Sequence, residues 1–435
     1  MTQKIRKLPR RRKPTPPLAS DPSILVVGLD WADDKHDLTI FDGFKNPVHL
    51  QIDSLPDAVN EIIIELQKIA EGREIHFAIE KGRNRVIYQL MLRESVVLYL
   101  IDPKQASRFK EGFSNSAAKD DPADSYYLGR MLVERKDCLR AFKPDDQLTR
   151  KIALFNETRR SLVDDKTRVI QQLTSKIKMY HAVALMLPGK SLNNALTREF
   201  LRRFPDPRQA RKANVKTLRS LLARHRIVNS KQVQEIISMI RQTDLVTTDA
   251  ALIEPLAIHV RVLVKQCEDL DTAIEQCESE LATAMKRHQD AQLFRPLPGA
   301  GAALAPRLLA AYGSNRERYE SADAFGCVVG INPVTRKSGK QKSVTRRWTC
   351  PKFLLQTFHE FANCARRYSK WSRAYYEWLR SKGVEHHAAV RKLATRWNRI
   401  LFRVWMTRTP YDESKYIESM KAKNHPLVAF LKTSQ

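Results

Sequence analysis

Three short apolar segments near the N-terminus, followed by alternating helical and strand-like segments, constrain the possible fold of this chain most. The three segments are joined by short polar turns, which predicts an antiparallel meander of three strands. Two helices and two further strands then alternate, and helical patterns dominate the remainder. In chain order the segments are ILVVGLD, HDLTIFDG, PVHLQID, the helix LPDAVNEIIIELQKIAEG, the strand IHFAIE, the helix RVIYQLMLRE and the strand VVLYLID. The predicted order of elements is therefore βββαβαβ.

This order predicts a mixed sheet with helices on its faces, which is the arrangement of the ribonuclease H-like fold. We assign this α/β domain to residues 23–147. Residues 1–22 are basic and rich in proline, with little apolar content to bury, and we predict that they form a disordered tail. This tail is either a solvated segment or a contact to nucleic acid.

Residues 148–292 are predicted to be helical, and they contain a sustained heptad pattern. Between Ile253 and Ala284, apolar residues alternate in steps of three and four, which favours a coiled coil. Such a helix forms a helical hairpin or a dimerising stalk between two domains, or it packs as an amphipathic helix on its own domain.

A second, mostly helical domain is predicted at residues 293–410, followed by a C-terminal tail at residues 411–435. Its last long helix carries one apolar stripe, typical of core packing, with basic residues largely off the stripe, where contact with phosphates is one use for them. The stripe consists of Val390, Leu393, Trp397, Leu401 and Val404, and the basic residues are Lys392, Arg396, Arg399 and Arg403. The predicted fold class is thus α/β plus all-α.

The chain carries 76 Lys and Arg residues against 48 Asp and Glu residues, a formal net charge of +28. This excess favours a polyanionic partner, and DNA or RNA fits better than an acidic protein or an anionic membrane surface. No apolar run approaches the roughly 18 residues of a transmembrane helix, and the N-terminus lacks the apolar core of a signal peptide. The six cysteines form no CxxC pair, which predicts buried thiols rather than a zinc site or disulfides. We therefore expect a soluble, cytoplasmic protein.

Four carboxylates are candidates for a metal site. Asp30 and Glu80 each end a predicted strand, and functional sites of such sheets collect at the carboxyl ends of parallel strands. Asp121 and Asp124 are three residues apart, which places both on one face of a helix. Four converging carboxylates repel one another unless cations lie between them, and their hard oxygen ligands suit Mg²⁺ or Mn²⁺. Taken singly, each acid is explained as a turn residue or as a charge at a helix N-terminus, but the set favours a metal-dependent phosphodiester site.

Two stretches of the C-terminal domain are candidates for contact with phosphates. The turn PGAG is either an ordinary junction between a loop and a helix or a backbone that approaches phosphates closely. The stretch NPVTRKSGKQK sets Ser338 before a glycine and among several cations. A serine that attacks a phosphodiester needs an accessible hydroxyl and nearby positive charge, and this stretch supplies both, although spacing alone favours an ordinary loop serine at Ser338.

Taken together, these motifs resemble the DEDD transposases of the insertion-sequence one-ten family, which are bridge-RNA-guided DNA recombinases. The RuvC-like domain of that family opens with a GxD strand, carries a Glu at a strand end and ends in a KxDxxD helix. The matching stretches are GLDWADDKHD with Asp30, FAIEKG with Glu80, and KDDPAD with Asp121 and Asp124. The family's transposase domain carries a PGxG turn and a GxxP…SG loop, here LPGAG at 297–301 and GINPVTRKSG at 330–339. This match places the family's nucleophilic serine on Ser338.

The chain departs from the family pattern at two points. The family usually continues its Glu motif toward a glycine and an aromatic residue, where this sequence reads EKGRNR. It also usually has a glycine-containing RGN stretch where this sequence reads RRWTCPKFLLQTF. Both departures are consistent with a subgroup whose nucleic-acid contacts differ, and they leave the acids and Ser338 intact.

The resemblance implies that Ser338 forms a covalent phosphoserine link to DNA while Asp30, Glu80, Asp121 and Asp124 hold Mg²⁺, or else Mn²⁺. It also implies that a bridge RNA guides the choice of donor and target DNA. Family members are homodimers that pair into tetramers, with the two halves of an active site from different subunits. The implied location is the nucleoid of a bacterial cytoplasm.

Two other functions remain open at this point. The first is a metal-dependent nuclease or Holliday-junction resolvase that uses only the carboxylates, with water as the nucleophile. The second is a catalytically silent RNA-binding or regulatory protein that keeps the fold, which the presence of all four acids disfavours.

Overall fold

The computed structural model describes residues 18, 20–82, 84–113, 121–189, 194–339 and 341–431, without the side chains of residues 121, 122, 342 and 429. Most of the predicted N-terminal tail, residues 1–17 and 19, lies outside the described residues. The chain divides into two compact units, Met1–Pro144 and Asp145–Gln435.

The first unit is built on a six-stranded mixed sheet with the strand order β3-β2-β1-β4-β5-β6. The strands are β1 Ile24–Trp31, β2 Lys35–Phe41, β3 Val48–Asp53, β4 Glu74–Glu80, β5 Val96–Ile101 and β6 Ala141–Phe142. The first three strands form an antiparallel meander, β4 runs parallel to β1, and β5 runs parallel to β4. The predicted order of elements and the mixed sheet are therefore confirmed.

Helices cover both faces of this sheet. They are α1 Pro56–Ala70, α2 Arg85–Leu90, α3 Pro103–Glu111 and α4 Asp121–Arg135, followed by a 3₁₀ turn at Lys136–Cys138. Successive side chains of a strand point to opposite faces, so Leu25 and Val27 of β1 pack with α1 and α2, whereas Ile24 and Val26 pack with α4. Burial on both faces explains why β1 is apolar almost throughout. Helix α2 is shorter than predicted, because it ends at Leu90 and Met91 caps it.

The second unit is mainly helical. Its elements up to the longest helix are α5 Gln147–Tyr180, α6 Ala182–Met186, α7 Ala195–Arg203, α8 Pro207–Arg211, α9 Val215–Arg224, α10 Ser230–Gln242 and α11 Ala250–Arg287. The later elements are α12 Ala291–Phe294, α13 Gly301–Tyr312, a 3₁₀ turn at Arg316–Arg318, α14 Ala322–Val329, β7 Val334–Ser338, β8 Gln341–Thr345, α15 Lys352–Tyr368, α16 Lys370–Ser381, α17 His386–Thr407, α18 Glu413–Ala422 and α19 Leu427–Leu431.

The predicted heptad helix is α11, and it pairs with α5 of the same chain. The pairing is antiparallel, because Lys151 near the start of α5 contacts Glu280 near the end of α11, whereas Lys166 contacts Asp271. The apolar residues of the heptad are largely buried within this unit. The structure therefore shows the heptad helix as one arm of an antiparallel helix pair that also packs within its own unit.

The C-terminal helices surround an aromatic core. The largest side chains buried there are Phe294, Tyr312, Phe325, Phe358, Phe361, Trp371, Trp397 and Trp405. The whole apolar stripe predicted for α17 is buried in this core, so that prediction is confirmed. Met420 and Leu427 also join it, which shows that α18 and α19, in the predicted C-terminal tail, pack as helices. Among the described residues, no helix is both long and apolar enough to span a membrane.

Candidate functional site

Asp30 and Glu80 lie side by side at the carboxyl edge of the first unit's sheet. The parallel register pairs Leu29 of β1 with Ile79 of β4, so the next residues along both strands are Asp30 and Glu80. Neighbouring strands are about 4.8 Å apart, and both side chains are partly exposed. The strand ends therefore bring these two predicted ligands together.

A third carboxylate, which sequence reasoning missed, flanks Asp30 on the other side. Asp37 of β2 is the antiparallel register partner of Asp30 and is buried. It contacts Nε2 of His49 at 2.8 Å and accepts hydrogen bonds from the Gln51 side-chain amide at 3.3 Å. Asp37 thus has its own polar partners within the sheet.

Two glycines allow α4 to lie directly on β1. A Cβ atom on Gly28 would lie 2.0 Å from the carbonyl oxygen of Ser125, and one on Gly129 would lie 2.3 Å from the ring of Phe41. The Ser125 hydroxyl also contacts the Thr39 hydroxyl at 2.8 Å. Since Phe41 lies toward the start of β1 and Thr39 lies opposite Gly28, α4 runs back along β1. Its first turn is therefore at the carboxyl edge, beside Asp30.

That first turn contains the other two predicted ligands. Asp121 begins α4, and its side chain lies outside the described residues. Asp124 is partly buried and accepts a 2.5 Å hydrogen bond from the Lys110 ammonium group of α3. Within the described residues, no group of three or more His, Cys, Asp or Glu side chains is placed to hold a metal ion. The structure thus places Asp30 and Glu80 together and Asp124 on the helix that covers the same edge.

Ser338 belongs to the second unit and lies at the tip of a β-hairpin rather than in the loop expected from the sequence. Strands β7 and β8 pair antiparallel from Val334 with Thr345 to Ser338 with Gln341. The two-residue turn begins at Gly339, whose φ of +55° suits glycine, and a Cβ atom there would meet no atom within 4 Å. Ser338 is exposed, and so are Arg336 and Lys337 of the same strand. The hydroxyl is therefore accessible and lies among cations.

The PGAG turn leads into α13, and its first glycine has a structural role. Gly299 has a φ of +76°, and a Cβ atom there would lie 2.9 Å from the backbone of Cys364 in α15. Gly301 begins α13 and is exposed. The first glycine is therefore required by packing within the unit, as expected for a junction between a loop and a helix.

The sequence matches two families of known proteins. A family described as "Transposase" matches residues 27–182, and one described as "Transposase IS116/IS110/IS902 family" matches residues 291–377. Together the matched segments span more than half of the chain, and they contain the four acids and Ser338.

Similar curated proteins cover most of the chain. The "Mini-circle putative transposase for IS117" of Streptomyces coelicolor is 26% identical over 91% of this chain and 97% of its own length. The "Insertion element IS900 uncharacterized 42 kDa protein" of Mycobacterium paratuberculosis is 25% identical over 79% of this chain and 86% of its own length.

Proposed function

This chain belongs to the IS110 family of transposases, and we propose on that basis that it cuts and rejoins DNA through a covalent bond to Ser338. In the proposed reaction, the Ser338 oxygen attacks a DNA phosphorus and displaces a deoxyribose oxygen, which takes up a proton. A DNA hydroxyl from the second strand then attacks the phosphoserine, which returns the serine hydroxyl and joins the two DNA strands.

The observation that carries this proposal is the placement of Ser338. An exposed hydroxyl at the tip of a hairpin can reach a backbone phosphate that approaches from solvent. Arg336 and Lys337 on the same strand provide positive charge, which offsets the charge that develops on the phosphate in the transition state.

We further propose that Asp30, Glu80, Asp121 and Asp124 hold Mg²⁺, with Mn²⁺ as a substitute. The chemistry of these side chains suits such an ion, because carboxylates offer only hard oxygen donors. Asp30 and Glu80 are neighbours at one edge, and Asp124 already attracts the ammonium group of Lys110. A bound divalent ion supplies charge stabilisation at a phosphate. The chain's own contribution is to fix the first turn of α4 beside Asp30 through the contact between Gly28 and Ser125.

The proposed partners are donor DNA, target DNA and a guiding bridge RNA. The net charge of +28 supports polyanionic partners, because A-form RNA and duplex DNA are both held mainly through their phosphates. The proposed assembly is a homodimer that pairs into a tetramer on DNA, in the nucleoid. Sequencing the RNA that copurifies with the protein tests the guide, and the absence of a discrete RNA species counts against it.

The serine mechanism is tested by trapping the reaction on cognate DNA and separating protein from DNA under denaturing conditions. Wild-type protein forms a covalent adduct, and Ser338→Ala forms none and joins no donor to target. Ser343→Ala, on the other strand of the same exposed hairpin, is the matched control and keeps both activities. Joining of donor to target by Ser338→Ala shows that the serine is not the nucleophile.

A metal-dependent nuclease or junction resolvase is the second candidate, since Asp30 and Glu80 lie together within one compact unit. That function predicts that Ser338→Ala still cuts DNA and that no covalent adduct forms in the wild type. Under either function, Asp30→Asn abolishes cutting in Mg²⁺, whereas Asp34→Asn, an exposed acid four residues away, preserves it. Full activity of Asp30→Asn rules out the carboxylate site.

A further inference from the structure

Trp348 exposes a large aromatic surface close in sequence to the Ser338 hairpin. Its side chain is 69% exposed, whereas Trp371, Trp397 and Trp405 of the same unit are fully buried. The residue lies between the end of β8 and the start of α15. A solvent-exposed tryptophan forgoes a large hydrophobic stabilisation, and such residues are enriched where a protein binds a partner.

The backbone that carries Trp348 is held in place by two contacts, both made through residues that follow it in the chain. The Trp348 carbonyl accepts a 2.6 Å hydrogen bond from the Lys352 ammonium group, in the first turn of α15. Cys350 packs against Gly330, where φ is +84° and a Cβ atom would lie 2.4 Å from the Cys350 sulfur. The ring is thus presented by an anchored segment, which lowers the entropy cost of binding.

The surroundings of the ring are cationic. The guanidinium of Arg346 lies over the Trp348 ring, 4.7 Å from its centroid. Within the described part of the second unit, the ion pairs do not include Arg336, Lys337, Arg346 or Arg347. In addition, the Nε of Arg347 is buried and has no hydrogen-bond partner among the described residues. The surface therefore suits a partner that combines a flat apolar face with negative charge.

We propose that Trp348 is a stacking platform for a base that is unpaired or unstacked in the nucleic-acid strand bound at this surface. A nucleotide has both a flat ring and a phosphate, and exposed aromatic rings among cations hold single strands in this way. Inside a duplex, both faces of a base are covered by its neighbours, so stacking on a protein ring requires a base that has left the stack. This inference takes from the proposed function only that the bound polyanion is a nucleic acid, and it does not depend on the chemistry of Ser338.

The test measures binding by the full-length protein without any chemical step. Fluorescence anisotropy with one labelled oligonucleotide, used as a single strand and as a duplex at one fixed salt concentration, gives both affinities. Trp348→Ala weakens single-strand binding about 5- to 150-fold, the range expected for one stacked base, and changes duplex binding less than about twofold. Trp348→Phe keeps most of the single-strand affinity, because phenylalanine also stacks.

Two controls separate stacking from other effects. Tyr88→Ala removes a 62% exposed aromatic ring in the first unit and leaves single-strand affinity unchanged. Arg346→Ala weakens single-strand and duplex binding to a similar degree. It also reduces the slope of the logarithm of affinity against the logarithm of salt concentration by about 1 for both. Unchanged single-strand binding by Trp348→Ala overturns the proposal, as does an equal loss on the duplex.

The same variants distinguish this proposal from the proposed function. If Ser338→Ala still joins DNA while Trp348→Ala selectively loses single strands, the serine mechanism fails and the stacking platform stands. If adduct formation depends on Ser338 while Trp348→Ala binds single strands normally, the serine mechanism stands and the stacking platform fails. A lower assembly mass of Trp348→Ala in light scattering, with single-strand binding intact, identifies the surface as a contact between copies of the chain and overturns the proposal.

Discussion

Gly28 of β1 lies so close to the backbone of α4 that an alanine side chain does not fit. A Cβ atom there would lie 2.0 Å from the carbonyl oxygen of Ser125 and 2.4 Å from the backbone nitrogen of Gly129. Ordinary contacts are about 3.5 Å, so Gly28→Ala displaces α4 by more than ~1 Å. Overpacking costs about 1–3 kcal/mol, and the upper end applies because both contacts are backbone atoms. Alanine recovers roughly 0.5–1 kcal/mol of backbone entropy, which leaves a net destabilisation of about 2 kcal/mol.

Hydrogen–deuterium exchange measures this loss where it occurs. Under conditions in which exchange follows the opening equilibrium, a loss of about 2 kcal/mol raises the population of the open state roughly 30-fold. We therefore expect amides of β1 and α4 in Gly28→Ala to exchange about 30 times faster than in the wild type. Amides of the second unit keep their rates, because Gly28 and α4 both belong to the first unit.

Gly112→Ala is the matched control for this experiment. Gly112 caps α3 with an ordinary φ of −64°, and a Cβ atom there lies no closer than 3.3 Å to a neighbour, the Phe109 carbonyl. We expect exchange in β1 and α4 to be unchanged in this variant. Exchange rates of α4 in Gly28→Ala within about threefold of the wild type would refute the steric argument.

Two carboxylates of the second unit give further predictions. Burial alone raises the pKa of Asp146, but hydrogen bonds from the first turn of α5 prevail and lower the pKa from 3.8 to about 2. The ionised Asp146 side chain therefore stabilises the fold fully above about pH 4, and this stabilisation is lost as the pH falls through about 2. We expect Asp146→Ala to lower the apparent melting temperature by about 2 °C at pH 7, and this difference from the wild type to shrink between about pH 4 and pH 2. Asp271 accepts hydrogen bonds from Lys166 and Arg198, so Asp271→Asn leaves two partly buried cations facing each other. Chemical denaturation should show a loss of about 1–2 kcal/mol for Asp271→Asn, against less than about 0.5 kcal/mol for Asp269→Asn, whose partner Lys265 is exposed.

The sheet and the helical core were predictable because burial imposes a local pattern on the sequence, either a continuous apolar run or a helical period. Apolar residues fill both faces of β1, and the stripe of α17 repeats at helical spacing. The hairpin of β7 and β8 was not predictable in this way, because its residues are mostly polar or charged and exposed, so no face alternates with a core. Likewise, the heptads of α11 identified a long amphipathic helix, but they did not identify α5 as its partner.

The positions of Asp30 and Glu80 at strand ends followed from the sequence, since each acid directly follows an apolar run. Their register as neighbours, however, required the pairing of β1 with β4. The contact between Gly28 and α4 joins residues about 100 positions apart in the chain. The exposure of Trp348 depends on how the segment after β8 packs, with Cys350 against Gly330. Such contacts leave no local pattern, and sequence reasoning therefore missed Asp37, Lys110 and the exposure of Trp348.

Two acids at the carboxyl edge of the first unit's sheet, Asp37 and Asp124, contact polar or cationic side chains of the same unit. Asp37 is held by His49 and the Gln51 amide, and Asp124 by Lys110. The negative charge of Asp37 and of Asp124 is thereby offset by groups of the chain itself, so neither of these two acids needs a divalent ion for the sheet edge to fold. The proposed Mg²⁺ would therefore serve the chemistry at the phosphate rather than the stability of the fold, and Asp124 would offer it Oδ2 while Lys110 contacts Oδ1.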